Sequence, residues 1–350
     1  TLSDAVISLN GKVLLGQDVE LTQRMITLLI SWDIQNVFVK TEEDKQEEAP
    51  VAQAVAAGVA TRQDAEAFLR FVAEYDSMVT TIAQSFEFIY KRKIVPVPHL
   101  KDAAASIHSC IDSNGLTALN YLLISDYNLA DYISRHSVMV AFFAGIIARQ
   151  MKWSEADIKG VALAGLLHDV GNLAAEKRED PRARTYIQHA ASLLRETRGI
   201  SNEVILGIVQ HREFIDGTGF PMGANGAKIH PYAKVIAVAD VFHGKAYTGE
   251  NPNPFPVLNV LAQDMFGKLD TAVCHTFIGQ IRDSMINNKV ILTDGSQAEV
   301  IFFHPSGYSL PVVRTDGGQI IDLSQRGGLG IKRIVSPALG IDRMIVPAQA

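Results

Sequence analysis

The stretch VALAGLLHDVGN, residues 161–172, decides how the rest of the chain reads. Seven apolar or small residues run into His168 and Asp169, and Gly171 follows as the expected left-handed stop of a helix. An ionised carboxylate at the buried end of such a helix is costly unless something cationic neutralises it. The reading therefore turns on what else in the chain converges on Asp169.

Working outward, the same pattern recurs. His136 opens the apolar run HSVMVAFFAGII (136–147). His189 sits in the amphipathic TYIQHAASLL (185–194), and His211 ends NEVILGIVQH (202–211). Asp240 lies within YAKVIAVADVF (232–242), a helix begun by Pro231, where proline is tolerated. Ala233, Ile236 and Ala237 share its inward stripe. Four histidines and two aspartates on mainly apolar helices need partners. Two readings stay open from spacing alone. Each group is separately hydrogen-bonded in the core, or the six gather around metal. Imidazole with carboxylate suits Mn, Fe or Zn, and a bridging carboxylate suits a two-metal centre.

The bulk properties are those of a globular protein. The 350 residues are 47% hydrophobic and 20% charged, a length that suggests two or three domains. A formal charge of −6 argues against nucleic acid as a partner, although a bound metal could still attract a phosphate ligand. Cys110 and Cys274 form no metal-like pair, so a reducing cytoplasm is expected. The most apolar run, VMVAFFAGIIA (138–148), is too short to span a bilayer, so no membrane partner is expected.

The expected architecture is mainly α: a helical bundle with a small N-terminal α+β domain and a short C-terminal β-meander. Residues 1–48 form the accessory domain. In it Asn10-Gly11 turns a hairpin, 21–32 is helical, 36–40 is a strand, and the charged run 41–50 is solvated. Residues 49–98 read as a helical linker whose basic tip KRK (91–93) faces solvent, with IVPVPHL (94–100) as a break. Residues 99–288 hold the metal-ligating helices. From 289 to 350 the period falls to two, with DGS and DGG turns, before an uninformative tail. RGGLGIK (326–332) belongs to these strands rather than to a phosphate loop.

The order His136, His168-Asp169, His189, His211, Asp240 resembles the HD superfamily of metal-dependent phosphohydrolases. HREFIDGTGFP (211–221) is similar to the HD-GYP subfamily, in which a histidine-bearing helix runs into a DGxGYP loop. RHSVMVA, AGLLHDVGN, KIHPYAKVIAVADVF, LDTAVCHTFI and PVVRTDGGQIIDL match in order, over about 115–330. The resemblance implies an HD-type bundle that hydrolyses cyclic di-GMP to pGpG and GMP in bacterial signalling. It implies two divalent metals, iron or manganese. His136, His168, Asp169 and Asp240 would hold the first, and Asp169 would bridge to a second on His189 and His211. His168 and Asp169 would be catalytic, with Asp169 positioning the attacking water. Arg212, Asp216, Gly217, Gly219, Phe220 and Pro221 would meet the substrate. The same loop is where a diguanylate cyclase or other signalling protein would dock, and a homodimer is a further expectation.

Four departures accompany the match. Arg212 replaces the family's second histidine, and Asn172 replaces the lysine of HDxGK. Phe220 stands for the tyrosine of GYP, and His243 stands where an aspartate is usual. Arg212 either turns toward solvent, leaving two metal sites intact, or turns in and leaves the second site weak or vacant; the long stem favours the first, and Asp216 is expected to tie down its own turn. The alternative function is a weak or inactive module that binds cyclic di-GMP or docks a partner. The six retained ligands favour the enzyme, whereas Arg212 and Asn172 favour the module.

Overall fold

The computed structural model describes residues 6–7, 13–15, 62–125, 132–174, 184–247, 253–305 and 307–335. The chain divides into two compact units, 1–65 with 338–341, and 66–337 with 342–350. In the first, β1 (Val6–Ile7) pairs antiparallel with β2 (Val13–Leu15), the two arms of the expected hairpin. Its Asn10-Gly11 turn, the expected helix 21–32, the strand 36–40 and the charged run 41–50 lie outside the described residues.

The larger unit is helical up to Met285. Helix α1 (Arg62–Arg92) is followed by α2 (Val97–Asn114) and α3 (Leu116–Ser125). Next come α4 (Tyr132–Gln150), α5 (Glu155–Leu167) and the one-turn α6 (Gly171–Ala174). Then follow α7 (Thr185–Glu196), α8 (Asn202–Gln210) and α9 (Pro231–Ala246). The helical part ends with α10 (Pro254–Asp264) and α11 (Thr271–Met285).

Helix α4 is the centre of the bundle. Val138 through Ala144 are all fully buried, so this helix has no solvent face over that span. It packs on α2, α5 and α9. Phe143, Phe242 and Phe277 join α4, α9 and α11, with ring centroids 5.0 to 5.4 Å apart. The segment read as a linker contributes to this core as well: Phe68 packs edge-on to Tyr121 at 4.9 Å, and Phe71 and Tyr75 each lie 6.2 Å from Phe142. The chain break after α1 is shorter than IVPVPHL, because α2 already starts at Val97 with Pro98 in its first turn. Lys93 is no idle member of a solvated tip, since its ammonium donates to the carbonyl of Leu173 at 2.8 Å.

Short polar side chains start the helices as their chemistry requires. Ser154 accepts from the Asp157 N–H, Ser201 from Val204, and Asp270 from Ala272 and Val273. Pro231 opens α9 after His230, whose ring accepts from the Tyr232 N–H.

The C-terminal strands are β3 (Lys289–Leu292), β4 (Gln297–Phe302), β5 (Val312–Thr315), β6 (Ile320–Asp322) and β7 (Ile331–Ile334). They form one antiparallel sheet in the order β6-β5-β4-β3-β7. Four strands meander as expected, and β7 then crosses back to pair with β3. The glycines of RGGLGIK lead into β7, and Asn253 ties its first residue to α10 by donating to the Ile331 carbonyl at 2.9 Å. No helix among the described residues is long and apolar enough to cross a membrane.

Candidate metal centre

Four helices and one turn deliver five of the six predicted ligands to one place. His136 lies one turn into α4, His168 caps the C-terminus of α5, and Asp169 follows in the turn to α6. His211 caps the C-terminus of α8, and Asp240 lies inside α9. The Nε2 atoms of His136 and His168 are 3.1 Å apart, and Asp240 Oδ1 lies 3.3 Å from the first and 3.9 Å from the second. Asp169 Oδ2 is 3.6 Å from His168 Nε2, while its Oδ1 is 3.8 Å from His211 Nε2. Ligand atoms bound to one ion at about 2.1 Å lie within about 4.2 Å of one another. His136, His168 and Asp240 meet that bound among themselves, and all three are buried.

The outer hydrogen bonds orient the rings. His168 Nδ1 donates to the Gly165 carbonyl at 2.8 Å, and His211 Nδ1 donates to the Ile208 carbonyl. Both bonds keep a proton on Nδ1 and turn Nε2 inward. His136 Nδ1 meets His243 Nδ1 at 2.8 Å, one ring donating to the other. Two inward lone pairs 3.1 Å apart need a proton or a cation between them. Asp169 Oδ1 and His189 Nδ1 are buried without a hydrogen-bond partner. A divalent cation would meet the paired lone pairs and the orphaned Asp169 oxygen, so this donor set fits a metal.

The structure does not bring every expected ligand into this cluster. His189 is half-buried on α7, and no bond ties it to the other five. Arg212 departs from expectation more clearly. It turns inward, not toward solvent: Nη1 lies 2.9 Å from Asp240 Oδ2, and Nε donates to Tyr186 Oη at 3.0 Å. The physical reason is charge. The buried Asp240 carboxylate holds the half-buried guanidinium, Asp169 adds its negative charge nearby, and Tyr186 accepts from Nε. Burial alone would raise the Asp240 carboxyl, but Arg212, the His136 hydrogen bond and His168 outweigh it and hold it well below the usual carboxylate range. Asp169 is likewise lowered, with His168, Arg212 and His211 overcoming burial. Burial and then Arg212 push His211 down to about 3, so this ring is neutral.

The loop after Arg212 is held by a residue that sequence reasoning passed over. Glu213 is buried and accepts the backbone N–H groups of Met222, at 2.6 Å, and Ala224, at 2.9 Å. Its partners lie nine and eleven residues away, so no local pattern announces it. A side chain at Gly219 would collide with the Phe214 N–H and the Arg212 carbonyl, and the Phe220 N–H then donates to that same carbonyl at 3.0 Å. Gly217 takes φ +80°, and Asp216 ties the turn by accepting from the Thr218 N–H and hydroxyl. Asp216 is exposed and local, as expected. Phe220, joined to Pro221 by a cis bond, carries the Arg184 guanidinium 5.1 Å above its ring. Tyr186 was also missed, although it sits three residues before His189 and so on the same helical face.

The turn at Gly171 corrects another expectation. It is not left-handed; it opens α6, and any β-carbon there would strike the carbonyl of Tyr186. The glycine is needed because α7 crosses against it.

Residues 133–245 match the HD domain family. The chain is 27% identical over 260 residues to the cyclic di-GMP phosphodiesterase PA4108 of Pseudomonas aeruginosa, covering 67% of this chain and 61% of that protein. It is 34% identical over 131 residues to 3'3'-cGAMP-specific phosphodiesterase 3 of Vibrio cholerae, covering 35% of this chain and 28% of that one. Among solved structures, Bd1817, an HDG"Y"P protein from Bdellovibrio bacteriovorus, superposes with a TM-score of 0.53 at 20% identity, over 79% of this chain and 94% of that one. The chain spans less than two thirds of the length of the Pseudomonas relative. The bundle and its buried cluster are thus those of an HD domain, a class of divalent-metal sites. Within that class, the chain is similar to a cyclic di-GMP phosphodiesterase and to an HDG"Y"P protein.

Proposed function

We propose that this chain is a cytoplasmic, metal-dependent phosphodiesterase that hydrolyses cyclic di-GMP to pGpG and GMP. The observation that carries the reading is the buried His136, His168 and Asp240 cluster, with Asp169 beside it. His136, His168, Asp169 and Asp240 would hold iron or manganese. His189 and His211 are the residues that remain for a second ion. When bound, such an ion acidifies water and polarises the phosphodiester oxygens. Asp169 keeps one carboxylate oxygen buried and without a donor, and its neighbours hold it ionised. That oxygen would orient the attacking water and accept its proton. The loop 216–221 borders the site through Arg212, and Phe220 and the exposed Met222 offer apolar surface for a guanine base or a docking protein. The similarity to a cyclic di-GMP phosphodiesterase supports this substrate.

The test is turnover of cyclic di-GMP by protein loaded with Mn(II) or Fe(II), with 3'3'-cGAMP run beside it. Hydrolysis that needs the metal and is lost in Asp169→Ala and Asp240→Ala supports the proposal. A second reading has its own observation, since Arg212 already occupies one Asp240 oxygen. Tight nucleotide binding without turnover under any metal would favour that reading, a receptor or docking module. Preference for 3'3'-cGAMP would keep the chemistry and replace the substrate.

A further inference from the structure

Arg212 occupies an unusual place for a cation. Its Nη1 holds Asp240 Oδ2, whose partner oxygen Oδ1 faces His136 and His168. Its Nε holds the oxygen of Tyr186, and that hydroxyl lies 3.3 Å from His211 Nε2. Because His211 Nδ1 gives its proton to the Ile208 carbonyl, Nε2 is the acceptor and Tyr186 the donor. Arg212 and Tyr186 thus form a bridge from Asp240 to His211.

We infer that the Arg212 guanidinium takes the place of a second metal ion, so that this centre holds a single divalent ion on the His136, His168 and Asp240 side. The inference rests on the metal-centre reading above. A second ion would draw on Asp169, His189 and His211. The lone pair of His211 is already engaged by Tyr186, and a guanidinium cannot lose its proton to make room. Its fixed positive charge stands beside the carboxylates that would otherwise attract the ion. The first cluster keeps its ligand atoms, because the Arg212 contact falls on Asp240 Oδ2 and leaves Oδ1 toward His136 and His168. Arg212 then does one part of a second ion's work, neutralising the carboxylates, but it offers no open coordination position.

The experiment is Mn(II) binding to the metal-free full chain, followed by calorimetry and by electron paramagnetic resonance. The expected result is one ion per chain with a mononuclear signal. Arg212→Lys keeps the charge and should also bind one. Arg212→Gln removes the charge and should bind two, with the broadened signal of an exchange-coupled pair. Should Arg212→Gln fail to fold, Arg212→His supplies a neutral ring at the same position and should likewise bind two. Two ions on the unaltered chain would overturn the inference while leaving the metal centre standing. So would a single ion on folded Arg212→Gln or Arg212→His. No ion on the unaltered chain, indistinguishable from His136→Ala, would overturn the metal-centre reading and this inference with it.

Discussion

The contact between His136 and His243 shows how one substitution is absorbed at the scale of a residue. His243 is fully buried, and its Nδ1 meets His136 Nδ1 at 2.8 Å. If His136 presents Nε2 to a metal, Nδ1 bears the proton and His243 accepts it. An aspartate oxygen sits close to where a histidine Nδ1 sits on its stem, so the two residue types can serve the same purpose here. Partners of this kind commonly change metal affinity about 10- to 100-fold. His243→Phe should therefore weaken Mn(II) binding by about that factor, measured by calorimetry, with the urea midpoint followed to check the fold. His243→Asp should largely restore it. Equal affinity in all three proteins would show that His243 packs and does not position.

At the scale of the element, the site depends on how closely α7 crosses the turn after α5. Gly171 leaves no space for a β-carbon beneath the Tyr186 carbonyl. Gly171→Ala must push α7 away, and overpacking against backbone costs about 3 kcal/mol. The expected outcome is a lower urea midpoint together with a weakened Arg212–Tyr186 bridge, because Tyr186 rides on the displaced helix. An unchanged midpoint would mean that the crossing relaxes freely. Expectations and structure part company at this scale for an identifiable reason. A glycine after an apolar helix reads as a left-handed stop, whereas its partner here is a carbonyl fifteen residues later, which no local rule contains. The same holds for Glu213 and its distant N–H partners.

For the whole molecule, the buried histidine makes folding pH-dependent. His211 has a folded value of about 3, whereas an unfolded histidine titrates near about 6.5. The unfolded chain therefore binds one more proton across that window, and stability falls as pH drops from about 6.5 toward 3. Between pH 6.5 and 5 the loss from this one group is about 2 kcal/mol. Asp240 is held below the carboxylate range, so its contribution is present above about pH 4 and is lost only below it. Denaturant midpoints of the metal-free protein should fall from pH 7 to 5, and His211→Gln should flatten that slope. The chain by itself determined the helical class, the strands after Asn288, the order of ligand-type residues and the turn chemistry of Asp216, because periodicity and short-range hydrogen bonding are local properties. Only the tertiary structure decided that Arg212 turns to Asp240, that His243 meets His136, that Tyr186 reaches His211, and that His189 stands apart. Those outcomes depend on which charges and lone pairs are desolvated side by side, and that is set where α4, α5, α7, α8 and α9 converge.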